Sequence, residues 1–412
     1  MTKKQVRLAV VGGNRGFGYS KSCELLSDIV EVNAICDLNE AVFAKWKQTF
    51  PNIRTFTSFE KLLDDPDIDA VLLATPMQVH AAQAVQAMKA GKHVLCEVAS
   101  AMTIEESWEL VETVEQTGAV YMLAENFCYT RSAMMIRHMA ESGVFGELTH
   151  AECGYVHDVR TATHDAQGNI KWRGEMMRDF NGNNYPTHSL GPVSQWLGIN
   201  RSDSFDYMTT IVSKPASQSD YFSEIFGPDH PGSKPEFWKQ GDSCLSLIRT
   251  KQGAVIYLRN DFSSPRPFNY LYYGLQGTKG SYLSGRDIQE EPLVWLDGRS
   301  PGKSYLGNAV WSKLSEYAGE FEHPWWKSES DRANAVSASR FGDYFVMKEF
   351  SSAIIQNRSP DFDVYDSVAV SCVLPLSVQS AARGGYPASF PDFAKNKRNS
   401  VRAQPETGGE NG

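Results

Sequence analysis

Two groups able to move protons stand three residues apart in Asn183-Asn184-Tyr185-Pro186-Thr187-His188. A histidine titrates near neutrality, and a neighbouring tyrosine can join it in acid–base work if its pKa is tuned. Leu190, Val193 and Leu197 follow at helical spacing, so a histidine that merely caps its own helix would read the same way. Upstream, Gly154-Tyr155-Val156-His157-Asp158-Val159-Arg160 closes a strand with a cluster of polar side chains, for which plain surface charge is the alternative. A third constellation is Val10-Val11-Gly12-Gly13-Asn14-Arg15-Gly16-Phe17-Gly18. Glycines at a strand-to-helix turn let backbone N–H groups approach a pyrophosphate, although a tight turn without a ligand could carry them too. Asp37 ends the next strand about 20 residues on, where a carboxylate accepts both ribose hydroxyls of an adenosine. An acid there favours NAD, because it would repel the 2′-phosphate of NADP.

The elements that must position these residues alternate. Strands are expected at Val6–Val11, Val32–Cys36, Ala70–Ala74, His93–Cys96 and Val120–Ala124. Helices lie between them, the clearest running from Thr103 to Thr117 with a Thr103/Glu106 capping box and a stop at Gly118. Alternation of this length predicts an α/β fold, a doubly wound parallel sheet over residues 1–128. Such a sheet binds ligands at its strand C-termini. Thr75-Pro76-Met77-Gln78-Val79-His80 and Glu97 fall at two such ends. Beyond residue 146 longer strands follow one another without helices: Glu147–His157, Phe205–Ser213, Ser243–Thr250, Ala254–Asp261 and Asn269–Leu275. They predict an α+β domain over 129–395 with a large, mainly antiparallel sheet open on one face. Residues 285–335, rich in Pro, Gly, Trp and Ser, are expected as excursions from it, and 396–412 as a polar disordered tail.

The 412 residues carry 49 acidic and 40 basic side chains, a net charge of −9. That balance disfavours a nucleic-acid binder, whose affinity rests on Lys and Arg neutralising phosphates. No apolar stretch in the sequence is expected to span a bilayer, which needs roughly 20 residues. The N-terminus runs at once into a strand, so no signal peptide is expected and a cytoplasmic location is. Seven cysteines, scattered and never in Cys-x-x-Cys spacing, predict neither a disulfide framework nor a metal site.

The Gly-rich turn, the Thr75–His80 segment and Gly91-Lys92-His93-Val94-Leu95-Cys96-Glu97-Val98 together resemble the Gfo/Idh/MocA family of nicotinamide-dependent sugar oxidoreductases. That family's third motif is Glu-Lys-Pro, its Lys relaying the alcohol proton; the matching positions here are Glu97, Val98 and Ala99. Tyr185-Pro186-Thr187-His188 before Leu190-Gly191-Pro192, Trp172-Arg173, Tyr155-x-His157-Asp158-x-Arg160 and Glu97-Val98 are similar to glycoside hydrolase family 109, the NAD-dependent α-N-acetylgalactosaminidases. The likeness covers roughly residues 5–395. It implies NAD contacts at Asn14, Arg15, Asp37, Met77, Gln78, His80, Glu97, Val98 and Asn126, and sugar contacts at Tyr155, Arg173, Tyr185 and His188. It also implies a tyrosine near the sugar at Tyr129. Phe268 stands where the family usually has a substrate-facing Tyr, a lost hydrogen bond that can shift sugar preference by roughly 1–3 kcal/mol.

The chemistry so implied oxidises C3 of a glycoside, eliminates the C1 oxygen through loss of the C2 proton, adds water and reduces C3 again. His188 would assist C3–OH deprotonation and Tyr185 would orient it. Tyr129 would be the C2 base, and Glu97 would orient the nicotinamide ribose or the sugar hydroxyls. Two alternatives share the pocket: an NAD-dependent sugar dehydrogenase, and a non-catalytic NAD- or sugar-binding protein. The partners expected are a small glycoside and further copies of the chain.

Overall fold

The computed structural model describes residues 5–266, 271–287, 289–336 and 341–394. Its first sheet contains β1 (Val6–Val11), β2 (Val30–Cys36), β3 (Arg54–Phe56), β4 (Ala70–Leu73), β5 (His93–Cys96) and β6 (Tyr121–Leu123). All are parallel, in the order β3-β2-β1-β4-β5-β6. Every residue of β4 is buried, as a central strand covered on both faces requires. β3, only three residues long, has no apolar run to betray it in the sequence. The helix Ile104–Thr117 is tied at its start as expected: Thr103 Oγ1 accepts from the Glu106 N–H and the Glu106 carboxylate accepts from the Thr103 N–H. Gly118 ends it in the left-handed region at φ 67°.

The second sheet is built from β7 (Leu148–Val156), β8 (Phe205–Val212), β9 (Cys244–Thr250), β10 (Val255–Asp261), β11 (Leu271–Gly277), β12 (Gly280–Leu283), β13 (Leu293–Leu296), β14 (Ser312–Lys313) and β15 (Ala388–Ser389). The order is β14-β13-β12-β11-β7-β10-β9-β8-β15, antiparallel throughout except where β7 meets β10. The segment 285–335 is more than an excursion, since it supplies β13, β14 and the helix Pro324–Ala335. Strict alternation of buried and exposed residues along β9 shows a sheet with one covered face. The helix Thr187–Trp196 packs on β7 and β11, and Val373–Ala382 on β8. On the other face Ile211 pairs with Leu245 across the ladder, and both are exposed together with Leu247.

Later helices return to the first sheet. Phe341–Gln356 lies against β1 and the helix Ser20–Leu25, and Val364–Ser371 against Ile104–Thr117 and β6. The largest apolar cluster among the described residues therefore runs through both sheets. The stretch Val364–Ala382 corrects the sequence reading: with 19 residues and a mean hydropathy of 1.2 it is long and apolar enough to cross a membrane. Its 72% burial inside the protein marks a core element. The 396–412 tail and Phe268 lie outside the described residues.

Candidate active site

β1 delivers the chain into a turn that only glycine can make. Gly12 sits at φ 91°, and a Cβ there would lie 2.5 Å from the Ala74 carbonyl oxygen. A Cβ on Gly16 would lie 2.3 Å from a methyl of Val10, so the helix start is pressed onto its strand. Asp37, at the end of β2, closes the turn: Oδ2 accepts from the Gly13 N–H at 2.7 Å and Oδ1 from the Asn39 N–H at 2.8 Å. Both oxygens keep lone pairs, and the side chain is half-buried, as a ribose acceptor requires.

Arg15 reaches from this turn across to Glu97 at the end of β5, with Nη2 and Oε1 2.5 Å apart. The Glu97 side chain is almost wholly buried, and Val98 is buried behind it. Met77 packs with Ala99, Met102, Met176 and Leu374. Gln78 donates weakly to the Trp172 carbonyl, 3.5 Å away, and Asn126 Nδ2 donates to Asp343 at 2.8 Å. Gln78 Oε1 and Asn126 Oδ1 are buried without a hydrogen bond. The amide and hydroxyl donors of a dinucleotide would satisfy them, so the residues present fit NAD.

The polar atoms of the Thr75 and His80 side chains make hydrogen bonds within the protein. The Thr75 hydroxyl donates to Gln83 Oε1 at 2.7 Å. The two ring nitrogens of His80 meet the carbonyl oxygens of Ala99 and Thr75, each at 2.8 Å. Two acceptors demand two N–H donors, so the ring is an imidazolium. Burial opposes that charge, but the Cys96 sulfur and the two carbonyls outweigh it and push the pKa up to about 9. The folded state thus holds this proton more tightly than the unfolded chain, whose histidine titrates near 6.5. Its stabilisation is complete below about pH 6.5 and is lost as the pH rises through about 9. The melting temperature of the wild type should fall across that window by several degrees more than that of His80→Ala. Parallel melting curves for the two would contradict the charged ring.

Facing the nucleotide turn, β7 and the helix Thr187–Trp196 bring together an aromatic cluster. The His188 ring lies 4.9 Å from Phe127, 5.3 Å from Tyr185 and 6.0 Å from Tyr155. Phe262 completes it, 5.8 Å from both tyrosines. His188 Nδ1 is 2.8 Å from Glu125 Oε1, and the His188 carbonyl accepts from the Tyr273 hydroxyl at 2.7 Å. Burial, reinforced by Glu97, pushes the Tyr185 phenol up to about 12 against the lowering effect of Arg173 and Arg15. A phenol so placed donates and orients; it does not serve as a base near neutrality. His157 packs edge-on against Tyr155, and burial, helped by Arg173, lowers its pKa despite Asp158, so the ring is neutral. Arg173 stacks 4.1 Å over Trp172, and its charge acts on both His157 and Tyr185. Asp158 and Arg160 pair with each other, the surface reading of that part of the strand.

Tyr129 makes none of this cluster's ring contacts among the described residues, and its hydroxyl is buried without a hydrogen bond. Its ring is in the core, and the charges that act on it are Asp361, Glu349 and Arg137. Burial pushes its phenol well above the ordinary value, the wrong direction for proton abstraction. Glu125 is the residue the sequence reading passed over. It follows β6, so the rule that found Glu97, an acid at a strand's C-terminal end, marks it equally.

A Gly-rich dinucleotide turn at the switch point of a doubly wound sheet, facing a cluster of Tyr and His side chains on a second sheet, defines an NAD-dependent enzyme of the sugar-oxidoreductase architecture. Residues 6–125 match the oxidoreductase family with an NAD-binding Rossmann fold, and residues 129–400 match the C-terminal domain of glycosyl hydrolase 109. The chain belongs to glycosyl hydrolase family 109. A family 109 protein of Solibacter usitatus is 36% identical over 404 residues, covering 95% of this chain and 89% of its own. A protein of Shewanella oneidensis named alpha-N-acetylgalactosaminidase is 34% identical, with coverages of 95% and 85%. Levoglucosan dehydrogenase in complex with NADH and L-sorbose superposes with a TM-score of 0.74 at 20% identity, covering 95% of this chain and 100% of that one. That last likeness carries the fold.

The role of Asp37 has a direct test. Asp37→Ala should weaken NAD binding roughly 10- to 100-fold, the worth of charge-assisted hydrogen bonds of about 1.5–3 kcal/mol, while sparing NADP. Titrating nucleotide-stripped protein with each cofactor measures it; wild-type protein that binds NADP as well as NAD would refute the assignment.

Proposed function

We propose that this protein hydrolyses glycosides, with NAD as a cofactor that ends each turnover in the state in which it began. The observation that carries the reading is the site's division of polar groups. At the position of a dehydrogenase's relay lysine stands Val98, buried and unable to carry a proton, whereas His188, Tyr185 and Tyr155 cluster opposite the nucleotide turn. Bound NAD supplies the removal and return of a hydride at C3 of the sugar. His188 accepts the C3 hydroxyl proton. Tyr185, its phenol protonated, donates a hydrogen bond that fixes the sugar oxygens. Tyr155, its ring 5.3 Å from that of Tyr185, is the group assigned to the C2 proton. Arg173 and the neutral His157 bind hydroxyl or acetamido oxygens at the rim. The name of the Shewanella relative supports an N-acetylgalactosaminide as the first substrate to try.

The test is incubation of the purified protein with a panel of aryl glycosides, with and without added NAD. Release of the aryl alcohol supports the reading, and oxidation of free sugar with stoichiometric NADH would replace it with a dehydrogenase. The reading extends to self-association. Ile211 and Leu247, 58% and 51% exposed on the open sheet face, would be covered by a second copy.

A further inference from the structure

We propose that Glu125 is the positioning residue that decides which nitrogen of His188 takes the substrate's proton. The activity arm of this inference rests on the glycosidase reading; its structural arm does not. The Glu125 side chain is completely buried, and Oε1 lies 2.8 Å from His188 Nδ1. The same oxygen accepts weakly from the Phe127 N–H at 3.4 Å, which holds the carboxylate at the start of the turn Asn126–Tyr129. Its second oxygen is buried with no hydrogen bond.

A carboxylate can only accept, so Nδ1 must carry the hydrogen. The neutral ring then has its lone pair on Nε2, which makes no hydrogen bond among the described residues, and the ring itself lies among Phe127, Tyr155 and Tyr185. Once Nε2 has taken a proton, the buried carboxylate stabilises the imidazolium through a charge-assisted bond. The arrangement repeats the logic of an acid–histidine pair in which the acid orients the base and is not itself protonated. The helix carrying His188 is shaped for it. A Cβ on Gly191, one turn on, would stand 2.6 Å from Glu125 Cγ and 3.2 Å from Cys128 Sγ, so only glycine lets the helix come this close.

The experiment uses NAD-loaded protein labelled with ¹⁵N histidine, the His188 signal being assigned by its loss in His188→Asn. Wild type should show a protonated Nδ1 and a bare Nε2. In Glu125→Gln the amide can donate to Nδ1, which moves the hydrogen to Nε2. The kcat should then fall roughly 10³- to 10⁴-fold with KM changed only a few-fold, the size of loss seen when such an acid becomes an amide. Should Glu125→Gln fail to fold or lose NAD, Gly191→Ala keeps the carboxylate but forces it off the helix, and it should mix the tautomers and lower kcat. A wild-type ring protonated at Nε2, or a folded Glu125→Gln with kcat within tenfold of wild type, overturns the proposal. If wild type cleaves no glycoside, the functional reading fails while the tautomer measurement still decides the role of Glu125.

Discussion

His188→Ala should lower the rate of glycoside cleavage by at least 100-fold while NAD stays bound and the fold is retained. General acid–base groups contribute typically 10²–10⁴-fold, and here the ring is the only imidazole in the aromatic cluster that is backed by a buried carboxylate among the described residues. The nucleotide turn at Gly12–Gly16 and Asp37 is built from β1 and β2, with hydrogen bonds that do not involve the helix of His188. Cofactor binding and turnover should therefore separate in this variant. Nucleotide content measured from the ultraviolet spectrum, together with the rate on an aryl glycoside, gives both readings from one preparation. A variant that keeps more than about a tenth of the wild-type rate would reduce His188 to the opening residue of its helix.

What could be seen in the sequence follows from how local each cause is. β1 and β5 stand where the apolar runs put them, because a strand covered on both faces must be apolar along its length. The turn at Gly12 was equally open to reading, since its φ of 91° demands glycine at that one position. Tyr129 was not, because its environment is set from far along the chain. Trp326 donates to its carbonyl, and the helix Phe341–Gln356 packs over its turn. His80 fell into a motif that implies a ligand contact, yet two backbone carbonyls on separate loops take both of its nitrogens. Glu125 and His188 meet across 63 residues, and nothing in the spacing of either announces the other. β12 and β13 were missed because each is four residues long and lies among turns.

Cleavage should leave a deuterium at C2 of the released sugar when the reaction runs in D₂O, with no net accumulation of NADH. Direct displacement at C1 never breaks the C2–H bond. Elimination through a C3 ketone must break it, because the ketone acidifies that hydrogen and the C1 oxygen departs as the electron pair moves in between C1 and C2. Water then adds at C1, solvent supplies the hydrogen at C2, and the hydride that left C3 goes back to it. Proton count, electron count and cofactor all close over one turnover, which is why the spectrum at 340 nm should stay flat while aryl alcohol appears. The site suits this course in two respects. Val98 is buried at the relay position and carries no proton, so the C3 hydroxyl proton passes to His188. Tyr155, Tyr185 and His188 place three proton-handling groups within 6.0 Å of one another, ring centre to ring centre, more than a single alcohol oxidation requires. A substrate carrying deuterium at C2 should lose it to H₂O in the complementary experiment. NADH formed in step with an intact glycoside would return the protein to the dehydrogenases, and cleavage by NAD-free protein without exchange at C2 would exclude both chemistries.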